Sequence, residues 1–211
     1  MNCLVVGSGK VQSYKLLASL AKSSELLIGA DGGAFYFHKA GITPHVLIGD
    51  FDSIDPVLLE SYRNLGVEIV KYPREKDFTD MELALDYAVK RKANRIFIMG
   101  ATGSRMDHTM SNIQLLHKLA DSGVEGVVAD ENNYIYLVTK SIEICKMDGY
   151  KLSLIPASET VEGITTTGLA YPLKDAALHM GTGLGISNEF VNDKASVSIK
   201  SGKLFVIVSR D

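Results

Sequence analysis

Arg95-Ile-Phe-Ile-Met-Gly-Ala-Thr-Gly-Ser-Arg-Met-Asp-His108 passes from an apolar run through a glycine-rich turn into polar residues that lead to a helical pattern. Residues 96–99 predict a buried strand, 100–105 a turn at its C-terminal end, and 109–122 a helix. Strand, turn and helix in that order form the repeating unit of a parallel sheet, and the unit recurs along the chain. Upstream, strands are predicted over 3–6, 26–30, 46–48 and 68–72. Helices are predicted over 13–22, 34–40, from Asp55-Pro56 onward, and over 79–92. Leu16, Leu17, Leu20 and Ala21 share one helical face, and Leu83, Ala84 and Tyr87 fall at helical spacing. Asp55 before Pro56 has the cap and first-turn order that starts a helix. With a sixth strand over 127–129, the predicted fold is α/β: a mostly parallel, doubly wound sheet with helices on both faces.

The texture changes after Asn132-Asn133. Residues 134–138, 142–145, 151–155, 195–200 and 203–208 are short, rich in β-branched residues and separated by turn formers, and Ser201-Gly202 reads as a hairpin turn. A C-terminal antiparallel β-sandwich or barrel is therefore expected, giving domains 1–132 and 133–211.

The 211 residues are 46% hydrophobic and 22% charged, which excludes extensive disorder. A net charge of -3 with a pI near 6.0 provides no field for nucleic acid or acidic membranes, so a small-molecule partner is expected. No apolar run approaches the roughly 20 residues of a membrane span. The first residues lack the basic and apolar regions of a signal peptide. Cys3 and Cys145 both sit in apolar stretches and read as buried free thiols of a cytoplasmic protein. Five scattered histidines give no zinc-type spacing.

The informative pattern is where the aspartates fall. Asp31 follows one predicted strand in Ala-Asp-Gly-Gly-Ala34, and Asp50 and Asp52 follow the next in Gly-Asp-Phe-Asp-Ser-Ile54. Asp77 and Asp80 follow the fourth in Lys-Asp-Phe-Thr-Asp80, and Asp107 the fifth. In an open parallel sheet these ends share one edge, where ligands bind. Any one of these residues alone is more often a cap or turn former. Carboxylates at four strand ends together need cations, and an all-oxygen set suits Mg²⁺ held with substrate phosphates.

Two glycine-rich turns compete as phosphate sites. Gly7-Ser-Gly-Lys10 resembles the tail of a P-loop, but Val11 replaces the Ser/Thr that would bind the metal. It remains a tight turn whose amides could approach an anion. Gly100-Ala-Thr-Gly-Ser-Arg105 is better placed, with Arg105 suited to bidentate grip on phosphate. Gly181-Thr-Gly-Leu-Gly185 lies outside any βαβ unit, so no dinucleotide reading attaches to it. His108 reads equally as a base beside Asp107 or as a helix cap or satisfied neutral histidine. Tyr171 and Phe190, near loop glycines, are the aromatics placed for stacking.

As an ordered set these motifs resemble the thiamine pyrophosphokinase family in its short bacterial form. The set comprises Ala-Asp-Gly-Gly-Ala34, Gly-Asp-Phe-Asp-Ser-Ile54, Lys-Asp-Phe-Thr-Asp80, Gly100-Ala-Thr-Gly-Ser-Arg-Met-Asp-His108, the segment around Asn112, Thr165-Thr-Thr-Gly168 and Ile186-Ser-Asn188. The resemblance implies an ATP-binding N-terminal α/β domain, a C-terminal β domain, and a homodimer with thiamine at the subunit interface. Carried over by position, it implies Asp31, Asp50, Asp52, Asp77, Asp80 and Asp107 as the acidic catalytic set around Mg²⁺ and triphosphate. Within that set Asp50, Asp52 and Asp80 are assigned as metal ligands. Thr79, Arg105, His108 and Asn112 are assigned to the nucleotide, and Tyr171, Ser187 and Asn188 to the thiamine loops. Animal-type members carry Trp where this chain has Tyr171.

The expected reaction is diphosphoryl transfer from ATP to the hydroxyl of thiamine, releasing AMP. Two other classes are compatible with the residues: another Mg²⁺-dependent transferase using Asp50 and Asp52, and a non-enzymatic thiamine or nucleotide sensor.

Overall fold

The computed structural model describes residues 1–211, which divide into two compact units, Met1–Glu131 and Asn132–Asp211. In the first, strands and helices alternate as β1 (Asn2–Val6), α1 (Tyr14–Lys22), β2 (Leu26–Ala30), α2 (Gly33–Lys39), β3 (Val46–Gly49) and α3 (Pro56–Asn64). They continue with β4 (Glu68–Lys71), α4 (Asp80–Lys90), β5 (Arg95–Met99), α5 (Met106–Asp121) and β6 (Glu125–Ala129). The six strands are parallel in the order β4-β3-β2-β1-β5-β6. The α/β fold is as the sequence predicts.

Burial follows the pattern that selects this architecture. Cys3 to Val6 of the central strand β1 are wholly buried, and each apolar side chain of that size contributes about 1.5–3 kcal/mol. Burial pushes the Cys3 thiol up to about 12, so it is an inert core group. Helix α4 buries Met81, Ala84, Leu85 and Ala88, the i, i+3, i+4, i+7 stripe of a core-facing helix. The Tyr62 hydroxyl of α3 donates to the Ala34 carbonyl at 2.8 Å, fixing α3 to α2. Caps set the helix starts. The Ser13, Asp55 and Thr79 side chains accept from the backbone N–H of Leu16, Val57 and Glu82 respectively.

Strand order reverses at β1. The chain runs outward from β1 through β2 and β3 to β4, then crosses back to β5 on the other side of β1. The crevice beyond the C-terminal ends of β1 and β5 is thus the topological switch point, where doubly wound sheets bind ligands.

The second unit is an antiparallel sandwich of β7 (Asn133–Val138), β8 (Ser141–Cys145), β9 (Lys151–Pro156), β10 (Thr160–Thr167), β11 (Ala176–His179), β12 (Lys194–Ser198) and β13 (Leu204–Ser209). One sheet pairs β7-β13-β9 and the other is β11-β10-β12-β8. Val138, Leu152, Leu154, Val161, Ile164, Val197, Leu204 and Val206 are among the residues that fill its core.

Four expectations are corrected. Ser201-Gly202 is not a hairpin turn: β12 and β13 belong to different sheets, and Gly202, at φ 87°, carries the chain between them. Cys145 is exposed, because it ends β8 at the edge of its sheet, where side chains alternate outward. Phe190 is a core residue and no stacking platform. Helix α5 starts at Met106, three residues earlier than predicted, which puts Asp107 and His108 in its first turn.

Candidate active site

The loops after β1 and β5 are laced together at the switch point. The N–H of Gly7 donates to Met99 O at 2.8 Å, that of Gly9 to Gly100 O at 2.8 Å, and that of Lys10 to Thr102 O at 2.7 Å. Glycine is required for this approach. Gly100 sits at φ 62°, and a Cβ there would lie 2.4 Å from Gly7 O; one on Gly9 would lie 2.4 Å from Gly100 O. The amides of Gly7, Gly9 and Lys10 are therefore engaged within the protein, contrary to their reading as an anion cradle. The turn's side chains at the cleft are those of Ser8 and Lys10.

Across the crevice, Asp31 follows β2 in the left-handed region at φ 45°, with its N–H bonded to Ile48 O at 2.8 Å. Its carboxylate accepts from Ser53 Oγ at 3.1 Å on both oxygens and from Ser8 Oγ at 3.2 Å. After β3, Gly49 turns the chain so that Asp50 Oδ1 accepts the Asp52 N–H at 3.0 Å. That turn leaves Asp50 half-buried and Asp52 exposed. After β4, Thr79 caps α4 and Asp80 becomes its first residue, where the positive helix end favours a carboxylate. The Asp80 Oδ1 atom is shut off from solvent and lies 2.8 Å from the Lys76 ammonium.

The start of α5 completes the rim. The Arg105 guanidinium forks onto the Asp107 carboxylate, Nε to Oδ1 at 3.3 Å and Nη2 to Oδ2 at 2.6 Å. Those bonds, with the backbone N–H of His108, hold the Asp107 carboxyl below the usual carboxylate range. Asn112 Nδ2 donates to Ala101 O at 2.8 Å, tying α5 to the β5 loop.

Together these elements enclose a cleft of about 860 Å³. Of the residues proposed from sequence, Asp31, Asp50, Thr79, Asp80, Arg105, His108 and Asn112 line it. Asp52, Asp77 and Asp107 are exposed and do not; Asp107 lines a smaller adjoining pocket with Thr79, His108, Ser111 and Asn112. No group of three Asp, Glu, His or Cys side chains is arranged to hold a metal ion unaided. Sequence reasoning missed Lys10, Arg74, Lys76 and Tyr36, all of which line the cleft. Lys10 and Lys76 lay inside quoted motifs, and basic residues in loops after strands were the signal available. The lining thus sets four cationic side chains (Lys10, Arg74, Lys76, Arg105) beside three carboxylates (Asp31, Asp50, Asp80). A polyanion accompanied by a cation matches that mixture.

Two family models match the chain. "Thiamin pyrophosphokinase, catalytic domain" matches residues 17–128, and "Thiamin pyrophosphokinase, vitamin B1 binding domain" matches residues 139–204. The chain belongs to the thiamine pyrophosphokinase family. Thiamine pyrophosphokinase from Bacillus subtilis (strain 168) is 34% identical over 209 residues, covering 98% of each chain. A crystal structure of the Bacillus subtilis thiamine pyrophosphokinase superposes with a TM-score of 0.90 at 32% identity, covering both chains fully. One from Geobacillus thermodenitrificans gives 0.86 at 33% identity, covering 100% of this chain and 98% of that one. The catalytic thiamine pyrophosphokinase match starts after the Gly7–Lys10 turn, so Lys10 lies outside the matched segment.

In the sandwich unit, Tyr171 is 73% exposed, whereas Asn188 is buried. Asn188 Oδ1 accepts the N–H groups of Tyr171 at 3.0 Å and Glu189 at 2.9 Å, and its Nδ2 donates to Tyr171 O at 2.7 Å. Asn188 therefore fixes the backbone that presents Tyr171. Ser187, at φ 59°, is exposed and anchored by its N–H to Ser153 Oγ at 2.9 Å.

Proposed function

We propose that the switch-point cleft binds the triphosphate of ATP with Mg²⁺ and that its diphosphoryl group passes to the hydroxyl of thiamine. The hydroxyl oxygen bonds to the β-phosphorus, the bond from that phosphorus to the α,β-bridging oxygen breaks, and AMP leaves. The hydroxyl proton passes to a base. The observation that carries this reading is the mixed lining at the switch point. Carboxylates and cations together line a space large enough for a nucleotide. Reactions of this class depend on positioning and charge neutralisation, not on a protein nucleophile.

The residues fit a divalent ion of the Mg²⁺ type. All donors are oxygens, and Mg²⁺ takes one or two carboxylates while phosphates and waters complete its shell. Asp50 and Asp80 would hold it from the cleft wall, with Asp52 on the adjoining turn as the third carboxylate of the assigned set. Bound there, the ion neutralises phosphate charge. Lys10, Arg74 and Arg105 grip phosphate oxygens, and Asp31 is held rigid by its two serine partners. Asp77 and Asp107 belong to the acidic surround, Asp107 setting the orientation of Arg105. Thr79, His108 and Asn112 contribute to the nucleotide wall.

Thiamine is taken by the loops bearing Tyr171, Ser187 and Asn188, at the subunit interface of a homodimer. Supporting this, Tyr171, Met180, Leu184, Ile186 and Val191 are large apolar residues left exposed within one short stretch. Exposed apolar patches mark interaction surfaces. The cationic thiazolium of thiamine suits an acidic rim. We assign the activity to the cytoplasm.

The test is direct. Protein, ATP, Mg²⁺ and thiamine should yield AMP and thiamine diphosphate in equal amounts by mass spectrometry. Activity should vanish with EDTA and return with Mg²⁺ or Mn²⁺. Release of ADP in place of AMP, or full activity in metal-free buffer, would overturn the reading.

A further inference from the structure

Lys76 lies in the loop between β4 and α4, and its side chain is only 12% exposed although it lines an open cleft. Its ammonium pairs with Asp80 Oδ1 at 2.8 Å, and that oxygen has no access to solvent. This is not an ordinary i,i+4 pair on a helix surface, because Lys76 precedes the cap residue Thr79 and is placed by the loop. Asp80 does not need a lysine for charge balance alone, since the α4 N-terminus already favours its carboxylate. A divalent ion bound by Asp80 would compete with the ammonium for this carboxylate.

We propose that Lys76 is an exchanging counter-ion: it holds Asp80 in the ligand-free protein and transfers its ammonium to the polyphosphate when a divalent ion takes Asp80. The proposal rests on the metal and nucleotide reading above and adds a role for a residue outside the assigned set. The chemistry suits lysine. A compact ammonium on a flexible four-carbon stem can change partners within one cleft, whereas a guanidinium fork is built to stay on a carboxylate. The exchange keeps the cleft free of an unpaired buried charge at each stage, because Asp80 always faces a cation and Lys76 always faces an anion. It also makes metal and nucleotide arrive together, since the metal alone must displace the ammonium into a cleft with no phosphate to receive it.

The proposal gives Lys76→Met effects of opposite sign on two ligands. Removing the charge while keeping the length should tighten Mn²⁺ binding to the nucleotide-free protein by about fivefold or more, read by electron paramagnetic resonance of free Mn²⁺. The same variant should bind a non-hydrolysable ATP analogue, titrated with saturating Mg²⁺, about fivefold or more weakly by calorimetry. Lys76→Arg keeps a cation on Asp80 and should leave Mn²⁺ affinity at or below that of the parent, never above it. A lysine that merely braces the loop would weaken both ligands or neither, and either result overturns the exchange. Asp80→Asn separates the two levels of inference. If it abolishes Mn²⁺ binding while Lys76→Met changes nothing, only the exchange fails. If it leaves parent-like Mn²⁺ binding, Asp80 is no ligand and the metal reading falls with the proposal.

Discussion

Asp31 occupies a left-handed conformation that costs a residue with a Cβ about 1–2 kcal/mol, and two serine hydroxyls hold its carboxylate there. Strain fixed in place beside a cleft is characteristic of residues kept for function. Asp50 and Asp52 can be separated by experiment. Asp50→Asn retains the oxygen that accepts the Asp52 N–H, so the turn should survive while turnover falls about a hundredfold or more. Asp52→Asn, at an exposed position, should do the same only if that carboxylate also reaches the ion; parent-like turnover with unchanged Mg²⁺ dependence would restrict the ligands to the cleft wall. Arg105 and Asp107 allow a pH test. Since Arg105 depresses the Asp107 carboxyl, the pair is formed above the ordinary carboxylate value of about 4 and is lost as pH falls through the lower folded value. Arg105→Ala should move that titration upward, measured on the carboxyl carbon by NMR. An unmoved midpoint would mean that the guanidinium is not the cause.

At the level of elements, the site is a set of strand ends, and its precision depends on caps and close-packed turns. Thr79→Ala removes the hydroxyl that accepts the Glu82 N–H and should cost about 1 kcal/mol in denaturant unfolding, with a larger fractional loss in nucleotide affinity because Asp80 begins the same turn. Gly100→Ala should be more severe, at about 2 kcal/mol or more, since its φ of 62° and its contact with Gly7 O both exclude a Cβ. Parent-like stability in that variant would mean that the two loops can separate at no cost. The elements also show what was readable in the residues. Most of the parallel strands were legible because each is a dense apolar run closed by Gly or Asp; β4, Glu68-Ile-Val-Lys71, is the exception and is closed by Tyr72-Pro73. The α5 start was not legible, because Arg105 stands at the cap position without a side-chain bond to the helix. Strand β10 escaped because Gly163, at φ 69°, breaks Thr160–Thr167 where its register against β11 shifts. Lys10 follows β1 whereas Arg74 and Lys76 share the loop after β4, far apart in sequence, so only the folded sheet brings these charges into one cleft.

For the whole molecule, the homodimer proposed here assigns the two halves of one reaction to different subunits: switch-point cleft from one, Tyr171 loop from the other. Two kinds of variant isolate the halves. Asn188→Ala frees the backbone that presents Tyr171 and should raise the thiamine KM much more than the ATP KM. Combined with Tyr171→Ala it should abolish turnover while the switch-point cleft stays intact. Asp50→Asn does the reverse. Neither variant alone should turn over, but a mixed dimer pairs an intact cleft from the loop variant with an intact loop from the cleft variant, restoring one of its two sites. With equal amounts and free exchange, half the dimers are mixed, so activity should recover to about a quarter of the parent value. Light scattering should show a dimer throughout, and labelled subunits should report the exchange. If subunits exchange and no activity returns, each site is made by one chain alone. A fully active monomer would lead to the same conclusion, and the exposed apolar stretch from Tyr171 to Val191 would then need another partner.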